Sequence, residues 1–559
     1  MIELMAGYLN PWSWILAFSP ILLVLFLMVF MGWSGAKAGS VTWFWSLVVA
    51  AVFFGGTVTT LASGSGKGLW ETLFIFLIIW GAMSIYGLVD GMKGFPVITE
   101  TFNRITRGDR LLQVLIIGMV FPAWMQGVLG FGTPVAVTAP LLLGLGFDPV
   151  LSVVIPALGH SWTITFGSLG SSYWTLQRFT GLAEEPLAYW SAIPFIPMTI
   201  LIFFFGVFWY SKRVYGDPWR EVKRGWFAWL SLGVIQSLAL FVFASWIFPS
   251  IAGFLAGFCG LLWGSQLSRM PFYKVEASND VPMTATRQPA VKPGCGDKPL
   301  SFHQAFLPYY VVIAVVFIIY LSPLFAQFFG TPNLRTILEA PRFQLGPWWP
   351  KTTTALGYVN AQAAKYSPLR VLTMPGTVIF LSLFITVVLY KLTGLLRPGV
   401  FSTIGERLSR AAVPASLTLI PLSMMAVMMM EHGMTTLLAV GVARFTGAAY
   451  PFFANYIGQL GAFMTGSNTA SNVLFGAFQR DTAIVLGISP YILAGLQTVG
   501  GAIGNIHCPM NVVLGTSTVG IPGRESEVIS QTLVVGLLIG AVVGILGLIL
   551  VGLYPAAGM

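Results

Sequence analysis

Six hydroxyl or amide side chains fall within eight residues: Thr465, Ser467, Asn468, Thr469, Ser471 and Asn472. Apolar residues flank them on both sides. None of the six is a strong nucleophile, and no base or metal-ligand set stands beside them, so their chemistry is recognition by hydrogen bonding. A helix that starts after such a polar turn presents unpaired N–H groups and the positive end of its dipole. That combination suits a small anion, a carboxylate above all.

A second segment echoes the first. The stretch GFGTPVAVTAPLL (130–142) is followed by GFDP (146–149) and GSLGS (167–171). The stretch GSNTASNVLFGAF (466–478) is followed by GISP (487–490) and GAIGN (501–505). Matching points lie 336, 341 and 334 residues apart (466 from 130, 490 from 149, 501 from 167). Paired glycine- and proline-interrupted segments point to a site built from discontinuous helices. Small residues also let membrane helices approach closely, which is the structural explanation for either segment alone. The recurrence in matching order favours a site. The expected binding residues are Gly130, Gly132, Thr133, Ser467, Asn468, Thr469, Asn472, Asn505 and His507.

Ionisable groups inside apolar stretches are costly and are functional candidates. His160 and His507 each lie next to a glycine break, and Glu431 follows three methionines. These three are the candidates for carrying a coupling proton. The alternatives are a histidine bonded to a backbone carbonyl and, for Glu431-His432, a surface loop, which is the expectation here. Asp90 and Asp148 sit at segment ends and read as interfacial. Lys and Arg are expected to be absent from the core, which leaves anion recognition to dipoles, hydroxyls and amides.

The elements that position these groups follow from composition. Of 559 residues, 56% are hydrophobic and only 9% charged, against about 25% charged in a soluble domain. Mean hydropathy is +0.81. Such a chain cannot cover a water-soluble surface, so a soluble enzyme, a disordered chain and a fibre are excluded in favour of a polytopic helical membrane protein. The net charge of +10 comes from Lys and Arg between apolar runs, which reads as a topology signal and not as a nucleic-acid footprint. The N-terminus has no basic region or cleavage site, so the first apolar stretch is expected to be a retained helix. Three cysteines without a CxxC pair argue against a disulfide scaffold, a metal cage or an iron–sulfur centre. No cofactor is expected. GSGKG (64–68) lacks the spacing of a phosphate loop, and GFG (130–132) is followed too soon by Pro134 to be a carbonyl filter.

Counting apolar stretches between charges gives about 12–14 helical elements at roughly 20 residues per span. Lys67, Glu71, Arg480 and Asp481 serve as boundaries in that count. The expected organisation is an N-terminal membrane half over 1–268 with a repeat at about 111–177. A polar cytoplasmic linker follows at 269–300, then a C-terminal half over 301–559 with a repeat at about 450–523. The basic segments 212–224 and 391–410 place 269–300 inside and 331–370 outside. The count from the Arg104, Arg107 and Arg110 cluster to Lys212 gives an odd number of crossings, although both should be inside. The 111–147 stretch is therefore expected to depart from a simple span.

The segments GVLGFGTPVAVTAPLLLGLGF (127–147), FMTGSNTASNVLFGAFQ (463–479), TVGGAIGNIHCP (498–509) and VGIPGRESE (519–527) resemble the bacterial L-lactate permeases. RLLQVLIIGMV (110–120) also fits, and the resemblance covers most of the chain. It implies an all-α inner-membrane transporter of two inverted repeats, each with a re-entrant hairpin and a broken helix. It further implies an elevator-like mechanism, often a dimer, and lactate or glycolate carried by proton symport. The chain departs from the family pattern at three charged positions. Gln126 stands for a glutamate, Asn468 for an aspartate in TGSDTSSN, and Asn505 for a lysine, while Met510 replaces a glutamine. Both lost acids are natural proton carriers, so coupling through His160, His507 or Glu431, or by sodium, is the alternative. The expected function is secondary transport of a small monocarboxylate such as L-lactate, D-lactate or glycolate. Its carboxylate is expected at Gly130–Thr133 and Ser467–Asn468, and its hydroxyl at Asn472 or Asn505. The rivals are a sodium-coupled carrier of another organic anion, a passive anion channel and, least favoured, a membrane enzyme.

Overall fold

The structure, a computed structural model, describes residues 2–128, 130, 132–273, 300–320 and 334–554. Most of the expected linker (274–299) and the start of the outer loop lie outside the described residues. Helices of ten residues or more are numbered here in chain order. They are α1 Pro11–Leu25, α2 Gly35–Phe53, α3 Val58–Gly91, α4 Gly94–Ile105 and α5 Arg110–Gln126. Next come α6 Thr133–Gly144, α7 Pro149–Ser161, α8 Ser171–Thr180, α9 Glu184–Tyr215, α10 Trp226–Trp246 and α11 Ala252–Leu267. The second half holds α12 Phe302–Tyr320, α13 Pro375–Leu392, α14 Val400–Glu431, α15 Met434–Thr446, α16 Tyr450–Thr465 and α17 Asn468–Leu486. It closes with α18 Pro490–Gly504, α19 Pro509–Thr518 and α20 Glu525–Leu553. Among the described residues, ten helical stretches are long and apolar enough to cross a membrane, and four shorter apolar helices accompany them. The chain is a multi-pass helical membrane protein.

The element order recurs. From α2–α9 to α13–α20 each helix start is displaced by 335 to 342 residues, for example Val58 to Val400 and Thr133 to Asn468. The Gly-x-x-Pro turns are the joints of this recurrence. Gly146 and Gly487 take left-handed backbone, then Asp148 and Ser489 cap the next helix through Leu151 N and Ile492 N, and Pro149 and Pro490 occupy the first turn. Each turn thus ends one helix with a glycine and starts the next with a polar cap and a proline.

In each series two helices form a hairpin, α5–α6 and α16–α17, and the following helix is interrupted, at 162–170 and at 505–508. The outer ends of the first hairpin stay together, with Arg110 Nη1 donating to Leu145 O. The two ends of this hairpin therefore lie side by side. The second hairpin packs closely on α18 because glycines meet backbone. A methyl on Gly500 would collide with Asn455 O, and one on Gly504 with Gln459 O. Along α8 and α17 the two series are joined by hydrogen bonds from Asn472 Nδ2 to Ser172 O and from Arg480 Nη1 to Thr180 O, both 3.0 Å.

Three sequence expectations need correction. Lys67 and Glu71 do not bound two spans but lie inside α3, and Arg480 and Asp481 lie inside α17. Glu431 is not on a surface loop. It ends α14 and pairs with Lys67 at 2.8 Å, with the two side chains 12% and 3% exposed. The core also does contain cations, since Lys67 and Arg178 are buried. Each is tolerated because a carboxylate neutralises it; an unpaired buried charge costs several kcal/mol, about 3–5 when one partner is removed. Asp90 and Asp148 are partly exposed and hold Arg407 and Arg213.

The segment after α12 adds a small non-helical piece. Gln344–Leu345 pairs antiparallel with Leu369–Arg370, and Thr352–Thr353 with Val359–Asn360. It is fastened over the α2–α3 turn by Ala355 N donating to Gly55 O and by Trp70 Nε1 donating to Ser367 O at 3.1 Å.

Candidate functional site

The two hairpin tips and the two helix breaks converge on one buried polar cavity of about 30 Å³. The first hairpin contributes Gln126 and Gly132, the first break Ser168, Ser171 and Ser172, the second hairpin Ser467, Asn468 and Thr469, and the second break Asn505. Among the described residues this lining holds no Arg or Lys. The helices α6, α8 and α17 all begin at the lining, at Thr133, Ser171 and Asn468. Ser467 caps α17 through Ala470 N, whereas the caps of α6 and α8 are glycines without a side chain to satisfy the first N–H groups. Positive dipole ends therefore face the cavity, while the Ser171 and Tyr173 N–H groups of α8 are held by Ser168 O and Thr165 O. In the first break two consecutive non-glycine residues, Ser168 and Leu169, hold left-handed backbone with φ of +47° and +56°. Such strain persists where the surroundings over-determine it, and it clusters at functional sites.

Hydrogen bonds tie the two series together behind the cavity. Thr165 Oγ1 lies 2.9 Å from Thr498 Oγ1 and 3.2 Å from Thr498 O. Asn468 Nδ2 donates to Thr165 Oγ1 at 3.0 Å, and Asn472 Nδ2 to Thr498 Oγ1 at 3.0 Å. Ser172 Oγ lies 3.0 Å from Thr469 Oγ1. Asn505 Nδ2 donates to Gly466 O of the second tip at 3.3 Å. Three buried acceptors remain without a donor: Gln126 Oε1, Asn468 Oδ1 and Asn472 Oδ1. Each such atom costs about 1–3 kcal/mol. A fold that keeps three of them at one place maintains a polar site at the expense of stability.

Of the expected residues, Gly132, Ser467, Asn468, Thr469 and Asn505 line the cavity. Gly130 packs on Ser168 and Gln126 just behind it. The Thr133 N–H is turned back to Gly130 O at 3.1 Å, and Asn472 lies one layer deeper, in the Thr498 cluster. His507 packs against Gly536 of α20 and the Phe463 ring, outside the lining. His160 bonds Pro156 O through Nδ1 at 2.9 Å and has Asn505 as a neighbour. Glu431 is engaged with Lys67 elsewhere. The sequence reading missed Thr165, Ser168, Ser171, Ser172 and Thr498. The GSLGS motif held part of the signal, because its serines flank the break already singled out.

A larger cavity, about 220 Å³, lies between α3, α8 and the 334–375 segment. Arg178, Arg335, Arg370, Glu184 and Glu339 line it. Its charges satisfy one another: Arg370 lies 3.0 Å from Glu184 and Arg335 lies 2.9 Å from Glu339. The smaller cavity, with its orphaned acceptors and converging helix starts, is the stronger candidate despite its size.

A family model described as L-lactate permease matches residues 13–554. An L-lactate permease of Escherichia coli (strain K12) is 27% identical over 550 residues, covering 96% of each chain. The Glycolate permease GlcA of the same strain is 28% identical over 558 residues, covering 96% of this chain and 95% of its own. An L-lactate permease of Bacillus subtilis (strain 168) is 26% identical over 553 residues, covering 92% of each. Among solved structures, the YdaH transporter of Alcanivorax borkumensis aligns over 90% of this chain and 89% of its own, with 13% identity and a TM-score of 0.42.

Proposed function

Because the chain belongs to the L-lactate permease family, and is a membrane transporter rather than an enzyme, we propose that it carries a small 2-hydroxy monocarboxylate such as lactate or glycolate across the bacterial inner membrane. The observation that carries this reading is the convergence of two hairpin tips and two helix breaks on one uncharged polar cavity. The carboxylate meets the positive dipole ends at the starts of α6, α8 and α17. Asn505, Asn472 or the serines of the first break receive the hydroxyl. The cavity is small, about 30 Å³, so the tips separate to admit the guest. In this reading both hairpins are re-entrant, the two series have inverted topology, and the hairpin and broken-helix units move together against the remaining helices as an elevator. Irregular backbone at mid-depth is tolerated there because it lines a cavity instead of lipid.

The coupling ion in the main reading is a proton, as the family resemblance implies. His160 is the candidate carrier closest to the site, through its neighbour Asn505. A second reading, sodium coupling, is favoured by the donor-less oxygens at Asn468 and Asn472.

A thermal-shift series on the purified protein with lactate, glycolate, acetate and succinate tests the substrate. A ligand that binds the native state raises the melting temperature. Lactate or glycolate is expected to raise it most; equal indifference to all four acids ends this reading.

A further inference from the structure

We propose that His160, in the last turn of α7, holds the coupling proton on its Nε2 atom, and that the imidazolium so formed is the counter-charge of the carboxylate in the cavity, a role that rests on the anion reading above.

The tautomer of His160 is fixed by its surroundings. Nδ1 lies 2.9 Å from Pro156 O. A carbonyl oxygen only accepts, so Nδ1 carries the hydrogen and Nε2 keeps a bare lone pair. The residue is buried, and its Nε2 has no hydrogen-bond partner. A buried acceptor without a donor is costly, and a proton turns it into a donor. The Asn505 amide is the side-chain neighbour of the imidazole, and Asn505 lines the cavity. Asn505 Nδ2 donates to Gly466 O of the second tip at 3.3 Å, and its Oδ1 accepts from Asn511 Nδ2. An amide oxygen has two lone pairs, so Oδ1 can take a second hydrogen bond, from Nε2 once it is protonated. The residue that would hold the protonated imidazole is then the one that holds the second tip. His507 is placed differently, because its unpartnered atom is Nδ1 and this atom is turned to Gly536 of α20.

The local field separates the two charges. The helix α7 ends at Ser161, and a helix C-terminal end favours a cation, whereas the starts of α6, α8 and α17 favour an anion. The helices packed on α7 are α5, α6, α9, α19 and α20. Their charged side chains sit at helix ends: Arg110 on α5, Glu184, Glu185, Lys212 and Arg213 on α9, and Glu525 and Glu527 on α20. Arg213 pairs with Glu527 and with Asp148, the cap at the opposite end of α7 from His160. The other titratable groups are Tyr189, Tyr210 and Tyr215 of α9, with His507 and Cys508 in the second break. Among the described residues none of these bonds the imidazole, whose polar neighbours are the Pro156 and Ala157 carbonyls and the Asn505 amide. An imidazolium here therefore has no resident counter-ion. The substrate carboxylate supplies it, and each charge lowers the cost of the other, a reciprocal effect. The empty carrier crosses with a neutral imidazole and the loaded one with paired charges, so neither crossing carries a lone charge through the bilayer. One bond is made and broken: Nε2 takes a proton from water on the side of entry, and the same N–H gives it back to water on the other side. Gln126 and Asn468 cannot ionise, so neither competes for this role.

The test uses the full-length purified protein with lactate as the probe, between about pH 6 and 8, where an imidazole changes charge and lactate does not. The lactate midpoint is read from the rise in melting temperature at each pH. It is expected to tighten about tenfold for each pH unit of acidification, because one proton binds with each carboxylate. In a lightly buffered sample, adding lactate is expected to draw about one proton per site from solution. His160→Gln keeps a polar side chain that cannot be protonated. It is expected to bind lactate with a midpoint independent of pH and to take up no proton, while His507→Gln keeps the wild-type slope. A flat midpoint in the wild type overturns the proposal whether or not His160→Gln folds. A wild-type slope in folded His160→Gln overturns it too, as does a slope lost in His507→Gln. Where His160→Gln does not fold, nitrogen NMR of histidine-labelled protein decides. Lactate is expected to protonate one imidazole, and that signal is expected to persist in His303→Gln, His432→Gln and His507→Gln; its loss in any of the three overturns the proposal. Stabilisation by lactate with a flat midpoint removes the proton site and leaves the anion reading intact. No stabilisation by lactate at any pH ends the anion reading and this proposal with it.

Discussion

Arg178 Nε donates to Glu71 Oε2 at 2.6 Å, and both side chains are buried, 7% and 4% exposed. The pair joins α8, which follows the first break, to the long helix α3. Arg178 also stacks over the Phe74 ring at 4.5 Å and donates to Ser367 O at 2.7 Å. Removing one partner strands the other in a low-dielectric setting, at about 3–5 kcal/mol. Arg178→Ala is therefore expected to lower the melting temperature sharply. The double variant Arg178→Gln with Glu71→Gln is expected to recover much of that loss, since no charge is left unpaired. A double-mutant cycle on melting temperatures reads the coupling; additive losses would show that the two charges act independently.

Glu431 allows a sharper separation of structure from proton transfer. It bonds Lys67 at 2.8 Å, and its carbonyl accepts from Asn360 Nδ2 at 2.9 Å. If the pair is a fastening, Glu431→Gln costs stability by leaving Lys67 unpaired, and Glu431→Met with Lys67→Met restores both stability and uptake. If Glu431 carries the proton, the double variant folds but no longer accumulates substrate. The expected result is restoration, because Glu431 is held by α3 and the outer segment and does not line the cavity. Initial uptake rates in proteoliposomes at two external pH values decide it.

The hairpins and breaks were legible because the sequence there violates what an apolar span should look like. A lipid-facing helix has no use for Ser467, Asn468 and Thr469 in a row, nor for Gly-x-x-Pro turns at a spacing of 341 residues. The charged residues misled for the opposite reason. Lys67 and Glu71 look like span boundaries because a lone charge in lipid is costly. Their partners Glu431 and Arg178 lie 364 and 107 residues away, so the neutralisation is invisible until the fold brings them together. His507 illustrates a different gap. The residue beside a break can face either the cavity or the neighbouring helix, and one residue of rotation decides. Here a bare Gly536 on α20 leaves room for the imidazole on the outer side.

The first tip has little room for side chains. A methyl at Gly130 would collide with Ser168 Oγ, and Gly130 has φ of +66°. Gly181 has the same φ of +66° but open space around it. Both alanine substitutions carry backbone strain of about 1–3 kcal/mol. Only Gly130→Ala also displaces Ser168, a cavity residue. The expected outcome is a modest, similar drop in melting temperature for both. Uptake should fall at least tenfold for Gly130→Ala alone, that is, by about 1.4 kcal/mol of transport barrier or more. Equal uptake in the two variants would place the first tip outside the translocation route.

The second tip offers a contrast between two polar residues three positions apart. Ser471 Oγ donates to Gly458 O at 2.9 Å and accepts from Gln497 Nε2 at 3.0 Å, so it binds the hairpin to itself and to α18. Asn468 lines the cavity and keeps an acceptor without a donor. Deleting the Ser471 hydroxyl leaves a buried carbonyl and amide poorly satisfied, at about 1–3 kcal/mol. Deleting the Asn468 amide removes an orphaned acceptor together with the bonds it donates, and these effects offset each other. Ser471→Ala is therefore expected to lower the melting temperature while the surviving folded protein keeps its half-saturation for lactate. Asn468→Ala is expected to leave the unliganded melting temperature nearly unchanged and to raise half-saturation, or abolish uptake. Residues that maintain a site at the expense of stability show this opposite pattern. The pair is read by melting temperature without substrate and uptake kinetics side by side. If Asn468→Ala destabilises and leaves half-saturation untouched, the second tip is a packing device and the binding site lies elsewhere.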